Sequence, residues 1–179
     1  MKVVNCEKQP DQPVMDSEDE LVRFDVEYLL KCLGLMRDTQ YLIIEQPDTS
    51  QRNSPQPDYL VKDTQGNSVV IEHARFFESQ DNRQKLVHKL KHFNGLYGPL
   101  NTPTPADLGR RLTEFLDDKL DKGQFASFAH CERIMLARNR WSDASANTFI
   151  NAEPYFSPQK HQDCDHFYLI VGRQLLEVF

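Results

Sequence analysis

Two neighbouring stretches of sequence decide the fold: Gln56-Pro57-Asp58-Tyr59-Leu60-Val61 and Val69-Val70-Ile71-Glu72-His73-Ala74-Arg75-Phe76. Between them lies Asp63-Thr64-Gln65-Gly66-Asn67, a cluster of turn-forming residues with a glycine at the place that needs positive φ. Apolar, β-branched runs on both sides of such a turn are typical of an antiparallel hairpin. We therefore predict that the two stretches pair as neighbouring strands.

The length of the turn determines which residues face each other. A three-residue loop at 64–66 places Tyr59 opposite Ile71 and Asp58 opposite Glu72. Facing side chains on one face of a hairpin lie about 5 Å apart at Cβ. Two carboxylates at that distance repel each other unless a cation or a shared proton lies between them. A hard divalent ion is the simplest explanation, so Asp58 and Glu72 are candidate metal ligands.

The Pro-Asp pair, the turn and the acidic residue that ends an apolar strand resemble the PD-(D/E)xK nuclease superfamily. The resemblance covers roughly Asp19 to Leu90 and implies an α/β, restriction-endonuclease-like fold with a central mixed β-sheet flanked by helices. It also implies a metal-dependent phosphodiesterase in which Asp58 and Glu72 hold Mg²⁺ or Mn²⁺ for nucleic-acid cleavage. The chain departs from the motif at Ala74, where the family has a lysine that orients the attacking water.

A helix before the hairpin offers a third acidic residue. Ser17 and Glu20 match a capping box and predict a helix over residues 17–33. Asp25 falls near the middle of the apolar arc of this helix, whereas Glu27 lies outside it. The resemblance implies that an acid of the first helix reaches the same metal, which makes Asp25 a candidate catalytic residue, with Glu27 or Glu20 as substitutes if the helix is rotated. Alternatively, Asp25 lies in a loose first turn and points to solvent.

A second predicted helix, residues 82–96, carries the densest positive charge of the chain. Its polar face presents the candidate nucleic-acid-binding residues Lys85, His88, Lys89, Lys91 and His92. Such a face is either an ordinary solvated surface or a surface that lies along a phosphate backbone. Because the family lysine is absent at Ala74, Lys85 or Lys89 could reach into the metal site, and Lys85 is therefore a further candidate catalytic residue.

The remaining segments predict one domain over residues 1–179. Its expected parts are a loose N-terminal arm at 1–15, a nuclease-like core at 16–96 and a C-terminal part at 97–179 that completes the sheet. Buried strands are expected at 41–44, 133–137 and 166–171, a last strand or packed tail at 175–179, a third helix at 104–122 and an irregular region at 139–165.

Composition limits the classes of function. The net charge of −6 means that any nucleic-acid site must be a local basic surface. No apolar run has the length of a membrane span and no apolar leader begins the chain, so we expect a soluble, cytoplasmic protein with reduced cysteines and no membrane partner. A zinc site is not expected, because the cysteines and histidines between residues 130 and 166 lack the paired spacing of such sites.

Three interpretations remain open at the level of sequence. The first is a metal-dependent nuclease that uses Mg²⁺ or Mn²⁺. The second is a relative of the same fold that has lost catalysis and serves as a binding or assembly module, as a homo-oligomer or with a protein or nucleic-acid partner. Ala74 favours the second interpretation. The third is an unrelated small α/β protein whose acidic residues are ordinary surface groups.

Overall fold

A seven-stranded mixed β-sheet forms the centre of the fold. The computed structural model describes residues 1–11, 17–45, 56–76, 103–140 and 144–179. Its strands are β1 (Lys2–Val3), β2 (Tyr41–Glu45), β3 (Tyr59–Asp63), β4 (Ser68–Phe76), β5 (Glu132–Asn139), β6 (His166–Val171) and β7 (Gln174–Glu177). Its helices are α1 (Glu18–Arg37), α2 (Pro105–Leu120) and α3 (Ala146–Ala152). The expected α/β class, with a mixed sheet flanked by helices, is confirmed.

The strands are arranged in the order β1-β7-β6-β5-β4-β3-β2. Strands β4, β5 and β6 are parallel to one another, and antiparallel strands extend the sheet on both sides. The segments before β5 and before β6 contain α2 and α3, as parallel neighbours require crossover connections. The carboxyl ends of the three central strands therefore lie at one edge of the sheet.

The hairpin of β3 and β4 has the register that the turn predicts. Tyr59 pairs with Ile71, and Gly66 has a φ of 86°. The Asp63 carboxylate accepts a hydrogen bond of 2.8 Å from the backbone N–H of Asn67, which holds the turn closed. Turn chemistry and strand alternation agree here, so the register is confirmed.

The sheet separates two apolar cores. Side chains of α1 and of one sheet face form the first core, among them Val26, Leu29, Leu33, Tyr59 and Ile71. Side chains of α2, α3 and the opposite sheet face form the second, among them Leu108, Leu112, Leu116, Phe149 and Val70. Because side chains alternate along a strand, the odd-numbered residues of β4 face α1 and the even-numbered ones face α2 and α3.

Helix α1 begins as predicted and ends later than predicted. Ser17 caps its first turn by accepting a hydrogen bond of 3.2 Å from the backbone N–H of Glu20. The helix continues through Gly34 to Arg37, because the residue in the left-handed conformation that closes it is Asp38, with a φ of 48°. Among the described residues, the structure contains no helix with the length and apolar character needed to cross a membrane.

The N-terminal arm, expected to be loose, is fixed against the sheet. We call residues 1–11 the strap. Lys2–Val3 pairs with β7, and the buried Val4 donates a backbone hydrogen bond of 2.8 Å to Leu175. A disulfide joins Cys6 of the strap to Cys32 of α1. The expectation that all cysteines are reduced is therefore wrong for this pair, which long-range packing brings together.

Two further expectations from the sequence are corrected. Strand β2 is not a buried strand, because it lies at the edge of the sheet and leaves Leu42 and Ile44 67% and 48% exposed. The region 139–165, expected to be irregular, contains α3, whose start is fixed by a reciprocal capping box of Ser145 and Thr148.

Gly109 lies at a close contact of α2 with the last residue of α3, Ala152, and with Tyr155, which follows it. A Cβ atom at this position would lie 2.7 Å from the carbonyl oxygen of Ala152 and 2.7 Å from Cβ of Tyr155. Alanine normally stabilises a helix by about 1 kcal/mol relative to glycine. Here it must push the two segments apart, so we expect Gly109→Ala to lower the free energy of unfolding by about 1–3 kcal/mol. Urea unfolding measures the change, and an increase in stability would contradict this packing.

Candidate functional site

Asp58 precedes β3 and lies beside the point where the pairing of β3 with β4 ends. The last paired residues are Tyr59 and Ile71. Beyond them, the Asp58 carboxylate accepts a hydrogen bond of 2.8 Å from the backbone N–H of His73. A charged acceptor on a backbone N–H makes a strong hydrogen bond. The side chain of Asp58 therefore extends the strand ladder by one residue.

Glu72 projects from β4 towards the α2 side of the sheet, where it is 5% exposed. Gln124, which follows α2, donates a hydrogen bond of 2.7 Å to Oε1 of Glu72. Glu72 lies one residue after Ile71, and Asp58 lies one residue before Tyr59, the last pair of β3 and β4. Each carboxylate uses one oxygen to bind a donor of the protein itself.

Proteins often bind Mg²⁺ through only one or two carboxylates, and water and phosphate complete the coordination shell. Asp58 and Glu72 could supply two such carboxylates. Any ion at Asp58 and Glu72 would have to compete with the hydrogen bonds from His73 and Gln124. In the part of the chain that the structure describes, no group of three His, Cys, Asp or Glu side chains could hold a metal ion.

Position 74, where the PD-(D/E)xK motif has a lysine, is buried. Ala74 is 4% exposed and belongs to the core between the sheet and α2. The residues expected to replace the lysine or to contact nucleic acid, Lys85, His88, Lys89, Lys91 and His92, lie outside the described residues. Their roles stay predictions.

Asp25 lies on the other face of the sheet. It is completely buried, whereas Glu27 is exposed and forms an ion pair of 2.8 Å with Arg23, so the predicted rotation of α1 is confirmed. The carboxylate of Asp25 contacts His73, which faces α1, and not Glu72, which faces α2. The structure therefore does not bring the three acidic candidates together.

Asp25 belongs to a buried polar cluster that the sequence did not predict. We call its members, Gln9, Asp25, His73 and Arg138, the buried cluster. Arg138 binds both oxygens of Asp25, with a distance of 2.6 Å from Nε to Oδ2. His73 Nε2 lies 3.0 Å from Oδ2. The Gln9 amide donates to Asp25 at 3.1 Å and accepts from Arg138 at 2.6 Å.

The buried cluster joins four separate parts of the chain, namely the strap, α1, β4 and β5. Each of its residues is at most 7% exposed. A sequence signal for it does exist, because Asp25 lies in the apolar arc of α1, His73 lies in a mostly apolar strand and Arg138 directly follows an apolar run. Buried charges are stable only when they are paired. The signal indicates that each residue needs a partner, but not which residue supplies it.

The pKa of Asp25 connects the buried cluster to acid stability. Burial alone would raise the pKa of this carboxyl group, but hydrogen bonds from Arg138 and His73 outweigh it and lower the pKa from 3.8 to about 2. A carboxylate with a lower pKa in the folded state stabilises that state above its unfolded pKa. That contribution is lost as the pH falls from about 4 towards 2. We expect the free energy of unfolding to decrease by about 2 kcal/mol through this group, measured by urea unfolding.

The variant Asp25→Asn tests the assignment of this pH dependence. It should be less stable than the wild type at neutral pH, because Arg138 loses its carboxylate, and it should lack this part of the acid-induced loss. Plots of unfolding free energy against pH that run parallel for the two proteins below about pH 5 would show that Asp25 is not responsible.

The two remaining cysteines, Cys131 and Cys164, are buried thiols. Burial raises the pKa of Cys131 and raises that of Cys164 to about 12. Because the thiolate is the nucleophilic form of cysteine, these groups are poorly suited to attack a substrate at neutral pH.

Glu72 and Asp25 thus lie on opposite faces of the sheet. The carboxylates of Asp58 and Glu72 each bind a protein donor, and the buried cluster ties Asp25 to Arg138 on the side of α1. A scan against protein-family models, a search of curated proteins and a search of solved structures each found no match to this chain.

Proposed function

We propose that this chain is a degenerate relative of the PD-(D/E)xK nucleases that binds nucleic acid without cleaving it. The order of the described elements supports the relationship, because a helix, a strand and the Asp58–Glu72 hairpin precede two further strands parallel to β4, with helices on both faces. This order is compatible with the restriction-endonuclease-like core that the motif implies.

The observation that carries the loss of cleavage is the engagement of Asp58. Its carboxylate completes the strand ladder at His73, where a nuclease would direct it towards a metal ion. Ala74 adds to this, because a buried alanine cannot supply the water-orienting cation. Loss of one preorganised stabilising group typically reduces a rate by about 10²–10³. The site is therefore poorly equipped for phosphodiester hydrolysis.

A second candidate function is a slow nuclease that depends on Mn²⁺ or Mg²⁺. The observation in its favour is the register of β3 and β4, which pairs Tyr59 with Ile71. We infer from it that Asp58, just before Tyr59, and Glu72, just after Ile71, stand close enough to share an ion. In that case the two carboxylates would hold the ion, whose chemistry is to activate water and to neutralise charge on the phosphate. The missing cation would come from a residue such as Lys85.

A cleavage assay decides between the two. Wild type, Asp58→Asn and the surface control Asp118→Asn are incubated with single- and double-stranded DNA and RNA in Mn²⁺, and binding is followed separately in EDTA. We expect no cleavage by any of the three proteins and binding by the wild type. Cleavage by wild type and Asp118→Asn that disappears in Asp58→Asn would establish the second candidate and refute the loss of catalysis.

A further inference from the structure

A cleft of about 620 Å³ opens at the carboxyl ends of β5 and β6. Its walls include Lys8 of the strap, Arg140 after β5, Ser145 before α3, and Gly172 and Arg173 in the turn after β6. We call it the strand-end cleft. Ligands of open α/β sheets bind preferentially outside the carboxyl ends of parallel strands, so this edge of the sheet is where a site is expected.

The charge of the strand-end cleft is positive in an acidic protein. Lys8, Arg140 and Arg173 line it, and none of the lining residues that the structure describes is acidic. The chain as a whole has a net charge of −6. A cleft lined by charges of one sign concentrates ligands of the opposite sign. The expected ligand is therefore an anion.

Arg140 lies near two other cations, Arg138 and Arg75. Burial lowers the pKa of its guanidinium, and the neighbouring Arg138 and Arg75 lower it further. Two acids near Arg140 are already paired with other cations, since Asp25 binds Arg138 and Glu18 lies 3.1 Å from Arg75. Within the described residues, no hydrogen bond or ion pair involves the guanidinium of Arg140. An anionic ligand would relieve this excess of positive charge.

Arg173 is held in place by the strap. Its Nε donates a hydrogen bond of 2.6 Å to the carbonyl of Gln9, and the backbone N–H of Gln9 donates one of 2.9 Å to the carbonyl of Arg173. Its NH1 pairs at 2.9 Å with Asp11, whose side chain is 89% exposed. Exposed ion pairs are weak, so a phosphate can displace Asp11 while the backbone contact keeps the guanidinium in position.

We infer that the strand-end cleft binds the phosphate groups of a nucleic-acid strand through Lys8, Arg140 and Arg173. The inference rests on the proposed function, because it locates the nucleic acid that the protein would bind. Guanidinium groups recognise phosphate with two parallel hydrogen bonds. The volume of about 620 Å³ lies in the range of small-molecule sites and accommodates a nucleotide unit.

The test compares two triple variants that lose the same charge. The cleft variant combines Lys8→Gln, Arg140→Gln and Arg173→Gln and so removes the cations of the strand-end cleft. The control removes three exposed cations elsewhere, through Arg23→Gln, Arg110→Gln and Lys122→Gln.

Fluorescence anisotropy with a labelled 12-nucleotide oligo-dT at several NaCl concentrations measures binding. We expect the cleft variant to bind roughly tenfold or more weakly and the slope of log K against log[salt] to decrease by about 2, since each phosphate contact on a single strand contributes about 0.7. The control should bind within about twofold of the wild type.

A measurement on the wild type guards against loss of folding in the cleft variant. Inorganic phosphate and adenosine monophosphate are titrated into isotope-labelled protein, and backbone amide signals are followed by NMR. We expect the largest shifts at Arg140, Gly172 and Arg173. Shifts confined to other regions would overturn the assignment of the strand-end cleft.

The outcomes separate the site from the function. If the oligonucleotide binds the cleft variant as well as the control, the cleft assignment is wrong and the binding function stands. A third variant combines Lys85→Gln, Lys89→Gln and Lys91→Gln. If this variant loses binding and the cleft variant does not, the cleft assignment is also wrong and the site lies on the predicted second helix. Phosphate shifts in the cleft without oligonucleotide binding would overturn the nucleic-acid function. No binding of any probe would overturn both.

Discussion

Replacing Arg138 by methionine is expected to lower the free energy of unfolding by about 3–5 kcal/mol. Arg138 contacts both oxygens of Asp25, which is 0% exposed. Without the guanidinium, the carboxylate keeps only His73 and Gln9 as partners in a site that water does not reach. A buried charge that loses its counter-ion is strongly destabilising, whereas removal of the whole pair is often tolerated. Urea unfolding at neutral pH measures the effect.

Arg133→Met provides a matched control on the same strand. Arg133 also pairs with an aspartate at 2.8 Å, but the side chains of Arg133 and Asp165 are 22% and 39% exposed. Solvent screens this pair, so we expect a loss of no more than about 1 kcal/mol. The double variant Asp25→Leu with Arg138→Met should recover much of the stability lost in Arg138→Met. Equal losses in Arg138→Met and Arg133→Met would show that the buried cluster does not stabilise the fold.

Removal of the disulfide between Cys6 and Cys32 is expected to lower the free energy of unfolding by about 3 kcal/mol. The bridge closes a loop with a sequence separation of 26, and a cross-link of this length restricts the unfolded chain by about that amount. For a chain of this size, we expect a decrease in Tm of about 10 °C when dithiothreitol is added. The strap, which carries Gln9 into the buried cluster, would lose its covalent connection to α1.

The double variant Cys6→Ala with Cys32→Ala is the control for this prediction. It should unfold like the reduced wild type and should not respond to dithiothreitol, because Cys131 and Cys164 form no disulfide. Mass spectrometry after alkylation under denaturing, non-reducing conditions counts the thiols. Two modified cysteines in the wild type agree with the bridge, and four would show that it does not form in solution.

Local chemistry was sufficient to predict the hairpin, the start of α1 and the rotation of α1. The turn at Gly66 and the alternation of its flanking strands involve residues close in sequence, so the register of β3 and β4 followed from them. Ser17 caps α1 as the capping-box pattern indicates, and α2, capped by Thr104, lies within the predicted range 104–122. The periodicity of α1 placed Asp25 inside and Glu27 outside, which the structure confirms.

Other features depend on contacts between distant residues, which no local pattern specifies. The pairing of the strap with β7 joins residues that are more than 170 positions apart in the sequence. Strand β2 is exposed because its position in the sheet order makes it an edge strand. Gly34 resembles a helix end in sequence, but packing and the cap at Asp38 carry α1 past it.

The same distinction applies to the acidic residues. Local patterns predicted the register that pairs Tyr59 with Ile71 and the burial of Asp25, because these follow from strand pairing and helical period. Only the tertiary structure decided what the carboxylates bind: Asp25 meets Arg138, 113 residues away, and Glu72 meets Gln124, 52 residues away. A buried carboxylate must find a donor, and the packing of the elements around the sheet determines which donor lies within reach.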